Sequence, residues 1–154
     1  MKARRKMKIT EYQQRSQRLI QQLLEVWETA VRATHLFLSN AEIQAIKSYV
    51  PQALSEIPHL IVLENEQARP IAFMGIAGKK IEMLFVSNAE RGKGFGKKLV
   101  QYGIEVFGIN ELAVNEQNPL ARAFYEHLGF SVCQRAELDE QGNPYPILYM
   151  KRDK

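Results

Sequence analysis

Cysteine is nearly absent from this chain: Cys133 is the one thiol among 154 residues. It can form no internal disulfide and no multi-cysteine metal site, and it fits a reducing compartment. Histidine is scarce as well, and His35, His59 and His127 show no metal-ligand spacing. Long apolar runs are missing; none approaches the ~18–20 residues that span a bilayer. The basic start (Lys2, Arg4, Arg5, Lys6, Lys8) leads into polar sequence and not into the apolar stretch of a secretion signal, so a cytoplasmic protein is expected. Repeats, low-complexity tracts and linkers are lacking too. The length then predicts one domain over residues 7–154, preceded by a basic flexible arm at 1–6.

The formal charge of +4 invites a nucleic-acid reading that its distribution opposes. Of the 21 basic residues, five fall among the first eight, leaving 16 against 17 acidic ones in the body. A nucleic-acid module carries its basic patch on the folded domain, so no nucleic-acid partner is expected. Apolar and charged fractions of 45% and 25% are those of an ordinary globular protein.

Periodicity sets out the elements. Residues 7–12 read as a short strand. Ser16 caps a long helix with Leu19, Leu23, Val26 and Ala30 at helical spacing beside Ile20, Leu24, Trp27 and Val31. Ser39 with Glu42 forms a capping box for a helix to about Val50, and the segment between Pro51 and Pro58 has room for one more helical turn. Strands follow at 59–64, 71–77 and 80–86, then a helix over 97–107 whose buried face is Leu99, Val100, Gly103, Val106 and Phe107, stopped by Gly108. A strand at 109–114 precedes a helix capped by Asn118, begun by Pro119 and closed by Gly129, with Leu120, Phe124 and Leu128 as its sheet-facing stripe. Residues 130–138 and 145–151 read as a final hairpin. This order predicts a mixed α/β sheet and not an alternating, doubly wound one.

Between the third of those central strands and its helix lies Arg91-Gly92-Lys93-Gly94-Phe95-Gly96. Glycines at alternate positions leave amides unshielded at a helix N-terminus, a geometry that binds phosphate or pyrophosphate. Lys97-Lys98 follows Gly96, so the hydroxyl that a Walker loop offers to magnesium is absent. A dinucleotide fold would place its glycines after the first strand, not the fourth. On the later helix, Asn118, Ala121 and Tyr125 share a side at i, i+3, i+7, presenting an amide, a small residue and a phenol.

The glycine loop resembles the acyl-CoA pyrophosphate loop (Arg/Gln-x-x-Gly-x-Gly/Ala) of the GCN5-related N-acetyltransferase (GNAT) superfamily. Asn118-Pro-Leu-Ala121-Arg-Ala-Phe124-Tyr125-Glu-His-Leu-Gly129-Phe130 is similar to that family's second characteristic segment. Val31 to Ser39 and Gly142 to Pro146 resemble a subgroup of small bacterial acetyltransferases. Ser87-Asn88 departs from the pattern, where many relatives carry proline. The resemblance implies a GNAT fold: a mixed, mostly antiparallel sheet splayed between strands 4 and 5 and flanked by about four helices. It also implies acetyl-CoA as cosubstrate, with no metal. The pyrophosphate would lie on Arg91, Gly92, Lys93, Gly94, Phe95, Gly96 and Lys97, and the pantetheine arm on the backbone of Leu84, Phe85 and Val86. Asn118 and Ala121 would contact the cofactor, and Tyr125 would reach its sulfur.

The implied reaction is attack of a primary amine on a thioester. An amine with a pKa of ~10.4 is almost wholly protonated at neutral pH, so a base or water chain must take a proton. Glu82, placed by period two with Leu84 and Val86, and His35, at the end of the first helix, are the two candidates. Tyr125 is the candidate acid for the departing thiolate. Trp27, His35 and Tyr145 are candidate acceptor contacts. The acceptor itself stays open among small molecules, peptides and proteins, as does the choice between monomer and homodimer. An acyl-CoA-binding sensor without turnover is the alternative function.

Overall fold

Apolar spacing changes from helical to strand-like near His59: most of a helical layer precedes that point and most of a sheet follows it. The computed structural model describes residues 7–153, so the basic arm expected at 1–6 lies outside the described residues. The elements run β1 (Lys8–Glu11), α1 (Gln17–Thr34), α2 (Asn40–Lys47), α3 (Val50–Glu56), β2 (His59–Glu64), β3 (Pro70–Ala77), β4 (Lys80–Val86), α4 (Phe95–Phe107), β5 (Glu111–Asn115), α5 (Pro119–His127), β6 (Phe130–Ala136) and β7 (Ile147–Arg152). One seven-stranded sheet has the order β1-β2-β3-β4-β5-β7-β6. β4 and β5 are parallel, and the other neighbours are antiparallel.

Alternation along β2 builds a core on each face. Leu60 and Val62 join Phe73, Met83, Phe85 and the buried side of α1, while Ile61 and Leu63 join Met74, Ile76, Leu99 and Val100 on the α4 side. α1 buries the stripe read from its sequence, and Ser16 Oγ caps it by accepting from Leu19 N at 3.1 Å. The Ser39–Glu42 capping box forms reciprocally. Five α-helices flank the sheet where about four were expected. The segment after Tyr49 makes α3, because Pro51 falls in its first turn, where a missing N–H costs no helix bond.

Two packing expectations need correction. Val106 is 56% exposed; α4 buries Leu99, Val100 and Gly103, and Ile109 and Met74 close the core against Gly103, where a Cβ would stand 2.8 Å from Ile109 Cδ1. Leu120 is 72% exposed and contributes nothing to the α5 stripe, because it lies in the first turn after Pro119 and the inward side of the helix centres on Tyr125.

Arg15 ties the two layers at their far end. Its guanidinium donates to the carbonyls of Tyr12 (3.0 Å), Leu54 (2.9 Å), Ser55 (3.2 Å), Ile57 (2.6 Å) and Pro58 (3.4 Å). Leu54 and Ser55 belong to the last turn of α3, whose carbonyls have no helical partner. Arg15→Ala should lower unfolding free energy by about 1.5–3 kcal/mol, read as a lower urea midpoint at unchanged slope. Arg15→Lys should restore little of it, since an ammonium lacks the fork.

Candidate active site

β4 and β5 share two register pairs, Lys80↔Glu111 and Ile81↔Leu112. Past Leu112, β5 follows β7 through Asn115, β4 follows β3 through Val86, and the two part. A cleft of about 140 Å³ opens between them, and its walls include His35, Glu82, Leu84, Phe85, Asn118, Ala121 and Tyr125. A larger hollow of about 470 Å³ lies over the start of α1, lined by Tyr12, Arg15, Ser16 and Glu64 among others. Several of its polar groups are engaged with protein: Arg15 on carbonyls, Ser16 in the α1 cap, and Tyr12 Oη on Glu64 at 2.9 Å. The smaller cleft brings together His35, Glu82 and Tyr125, the three residues read from the sequence as candidate acid and base groups.

The glycine loop stands open at the head of α4. Gly92 and Gly94 have φ of +77° and +82°, a conformation that favours glycine, and no atom lies within 4 Å of where a Cβ would be. Gly94 is the N-cap of α4 and provides no side-chain cap. Lys98 N, on Gly94 O at 3.0 Å, is the first amide to find a helical acceptor, so the preceding amides face outward with the positive helix end behind them. This surface fits a pyrophosphate. Gly96 also packs closely, since a Cβ there would meet Phe124 Cζ at 3.3 Å. Arg91 and Lys97 are exposed, and Lys93 Nζ pairs with Glu90 at 2.9 Å. At Ser87-Asn88, the departure from the family pattern, Ser87 N donates to Ile71 O (2.8 Å) and Asn88 N to Thr29 Oγ1 (3.2 Å). A short 3-10 turn over Asn88–Glu90 follows.

α5 carries the phenol. Asn118 Oδ1 caps the helix by accepting from Ala121 N at 3.2 Å, which leaves its amide group as a donor beside the cleft. Tyr125 is 9% exposed, its ring edge-on to Phe124 (5.0 Å) and Phe130 (6.0 Å). Among the described residues no protein group bonds its hydroxyl, and burial pushes the phenol well above its ordinary value of 10.0. It therefore stays protonated at physiological pH.

Glu82 is placed differently from the period-two expectation. Gly75 pairs with Met83 and the next residue, Ile76, with Ile81, which makes Glu82 the extra residue of a β-bulge. Ile81 and Leu84 consequently face one core, Met83 and Phe85 the other. The Glu82 carboxylate lies 3.3 Å from Lys80 Nζ, which also approaches Glu140 at 3.6 Å. Carboxylates on both sides hold the Lys80 ammonium above its ordinary range despite the burial that opposes it.

His35 caps the C-terminal end of α1, its N–H on Val31 O at 2.8 Å. Its ring is half-buried on the cleft wall, and burial lowers its pKa from the ordinary 6.5. Phe37 lies 5.5 Å from that ring and 5.5 Å from Tyr145, so Tyr145 reaches the cleft through Phe37 and not directly. Trp27 is not brought to the site: it is 4% exposed and belongs to the core beneath α1, on the stripe with Leu23 and Val31. Phe37, Lys80 and Thr34 have places here that spacing did not reveal, because their partners are distant in sequence or belong to a helix end.

The profile of the Acetyltransferase (GNAT) domain family matches residues 56–132, from the end of α3 into β6. The chain is 39% identical over 128 residues, 83% of its length and 88% of the relative's, to peptidyl-lysine N-acetyltransferase YjaB of Salmonella typhimurium. The solution structure of apo-form YjaB from Escherichia coli superposes with a TM-score of 0.83 at 35% identity, covering 93% of this chain and 96% of that one. PaiA N-acetyltransferase from Thermoplasma acidophilum, solved with coenzyme A, shares the fold at a TM-score of 0.70 and 20% identity, covering 94% and 99%. With the splayed sheet, the open glycine loop and these relatives together, the chain belongs to the GNAT family of acetyltransferases.

Proposed function

We propose that this acetyltransferase modifies lysine side chains of peptides or proteins, with His35 as the base and Tyr125 as the acid. The observation that carries the assignment is the cleft between β4 and β5, which gathers both groups beside Asn118. Acetyl-CoA supplies the acetyl group as a thioester. The outward amides from Gly92 to Lys97 would hold its pyrophosphate, and the β4 backbone at Leu84, Phe85 and Val86 its arm. His35 is neutral near pH 7 and suited to take a proton from an ammonium. Glu82 is the weaker candidate base, because Lys80 already shares its carboxylate. The Tyr125 hydroxyl, protonated and without an acceptor among the described residues, is suited to donate to a developing thiolate. The names of the YjaB relatives support a lysine acceptor, and the aromatic rim of Phe37 and Tyr145 offers apolar surface to its four-carbon stem. The scarcity of cysteine supports a cytoplasmic setting.

Release of coenzyme A should be measured across lysine peptides, peptide N-termini, polyamines and small amines, with lysine peptides the best acceptors. Acetyl-CoA binding without release on any acceptor would match a sensor instead. Tyr125→Phe should lower kcat about 10²-fold and leave acetyl-CoA affinity near that of the parent chain; unchanged turnover would remove the acid role. Gly94→Ala should weaken acetyl-CoA binding in calorimetry about tenfold through the added Cβ and strain, whereas Gly78→Ala, similarly strained at φ +61° in the β3–β4 turn, should not. Activity should be full where His35 is neutral and fall as pH drops through its lowered pKa, so the acid limb of kcat has its midpoint below 6.5. His35→Ala should abolish that limb, and its persistence would transfer the base role to Glu82.

A further inference from the structure

Among the described residues His35 has no charged partner, and its orientation has another source. Thr34 Oγ1 donates to Ala30 O at 2.8 Å, one turn back in α1. The same oxygen lies 2.8 Å from His35 Nδ1. A hydroxyl has one hydrogen and two lone pairs. Its hydrogen is engaged on Ala30, so toward the imidazole it can only accept. The ring nitrogen in that contact must then be the donor.

We propose that Thr34 is a positioning residue that fixes His35 as the Nδ1–H tautomer, which leaves the lone pair on Nε2 as the basic atom for the acceptor amine. The assignment of Nε2 as a working base rests on the reading of His35 given above; the tautomer itself does not. A hydroxyl bonded to the carbonyl four residues back is ordinary in this molecule, as Ser55 on Pro51 O at 3.0 Å shows. What sets Thr34 apart is its second contact, made to a ring that lines the cleft. In water the two tautomers of a neutral imidazole interconvert, and the partner of one nitrogen decides the state of the other. Here that partner is rigid, because Oγ1 is anchored to the helix backbone.

Other groups facing the ring do not compete for Nδ1. Phe37 packs at 5.5 Å and offers no acceptor. The ionisable groups of the same cleft are Glu82 from β4, turned to Lys80, and Tyr125 from α5. Burial alone lowers the proton affinity of the ring, with no neighbouring charge acting on it.

The test reads the tautomer directly, apart from turnover. Full-length protein labelled with 15N is examined by long-range proton–nitrogen correlation above the titration range of the ring, His35 being assigned by its loss in His35→Ala. The expected pattern is a protonated Nδ1 and an unprotonated Nε2. A protonated Nε2, or an even mixture, overturns the proposal whatever the activity. Thr34→Val, which keeps shape but removes the acceptor, should move the ring toward Nε2–H and lower kcat about three- to tenfold, with the KM for acetyl-CoA unchanged. Thr34→Ser should retain both tautomer and rate, and a loss of rate without a change of tautomer would refute the positioning role. If Thr34→Val fails to fold, the spectrum of the unaltered chain still decides. Full turnover in His35→Ala alongside an Nδ1–H spectrum would overturn the base assignment while the fixed tautomer stands.

Discussion

The two register pairs that join β4 to β5 are the constraint around which the molecule is arranged. Each strand is secured on its other side, β4 by β3 and β5 by β7, so the sheet can part along this seam without leaving either half unsupported. Backbone groups on the parted edges need partners, and an extended ligand arm between them is one way to supply these. The candidate catalytic groups come from both sides of the parting. α1 and the β4 bulge bring His35 and Glu82 from one half, while α5, packed on the half that contains β6, brings Asn118 and Tyr125.

Electrostatics then separates the proposed roles, which geometry alone leaves equal. The phenol of Tyr125 is held protonated and the imidazole of His35 neutral by the same cause, loss of hydration. One ends with a proton to give, the other with a lone pair to take one. Glu82 follows a different logic: the bulge aims it at the cleft, and Lys80 binds it there. Lys80 also lies 5.9 Å from the centre of the Tyr149 ring, so this cation is held between carboxylates and an aromatic face.

Much of this was legible in the chain. Capping residues marked the starts of α1, α2 and α5, and the strands β2 to β4 emerged from their short apolar runs between turn residues. The glycine loop and the α5 segment were readable because their geometry is local: a few adjacent residues determine a turn, a helix end and a face. The misreadings share an opposite origin. The bulge at Glu82 depends on the register of β3, which the β4 sequence does not contain. Leu120 looked like core because spacing shows which residues share a side, not which side turns inward. Tyr145 met Phe37, and Thr34 met His35, through loop paths and a helix terminus that no period describes.

The margins of the sheet carry a consequence of their own. β1, at one edge, has four residues, and β6, at the other, is interrupted where Cys133 has no register partner on β7. Beyond that interruption Arg135 forms ion pairs with Glu116 (2.6 Å) and Glu137 (2.7 Å). A brief strand on one flank and a kinked, charge-studded one on the other make poor templates for a strand from a neighbouring molecule. The molecule can keep an interior seam open for chemistry while its outer borders resist fibril-like stacking.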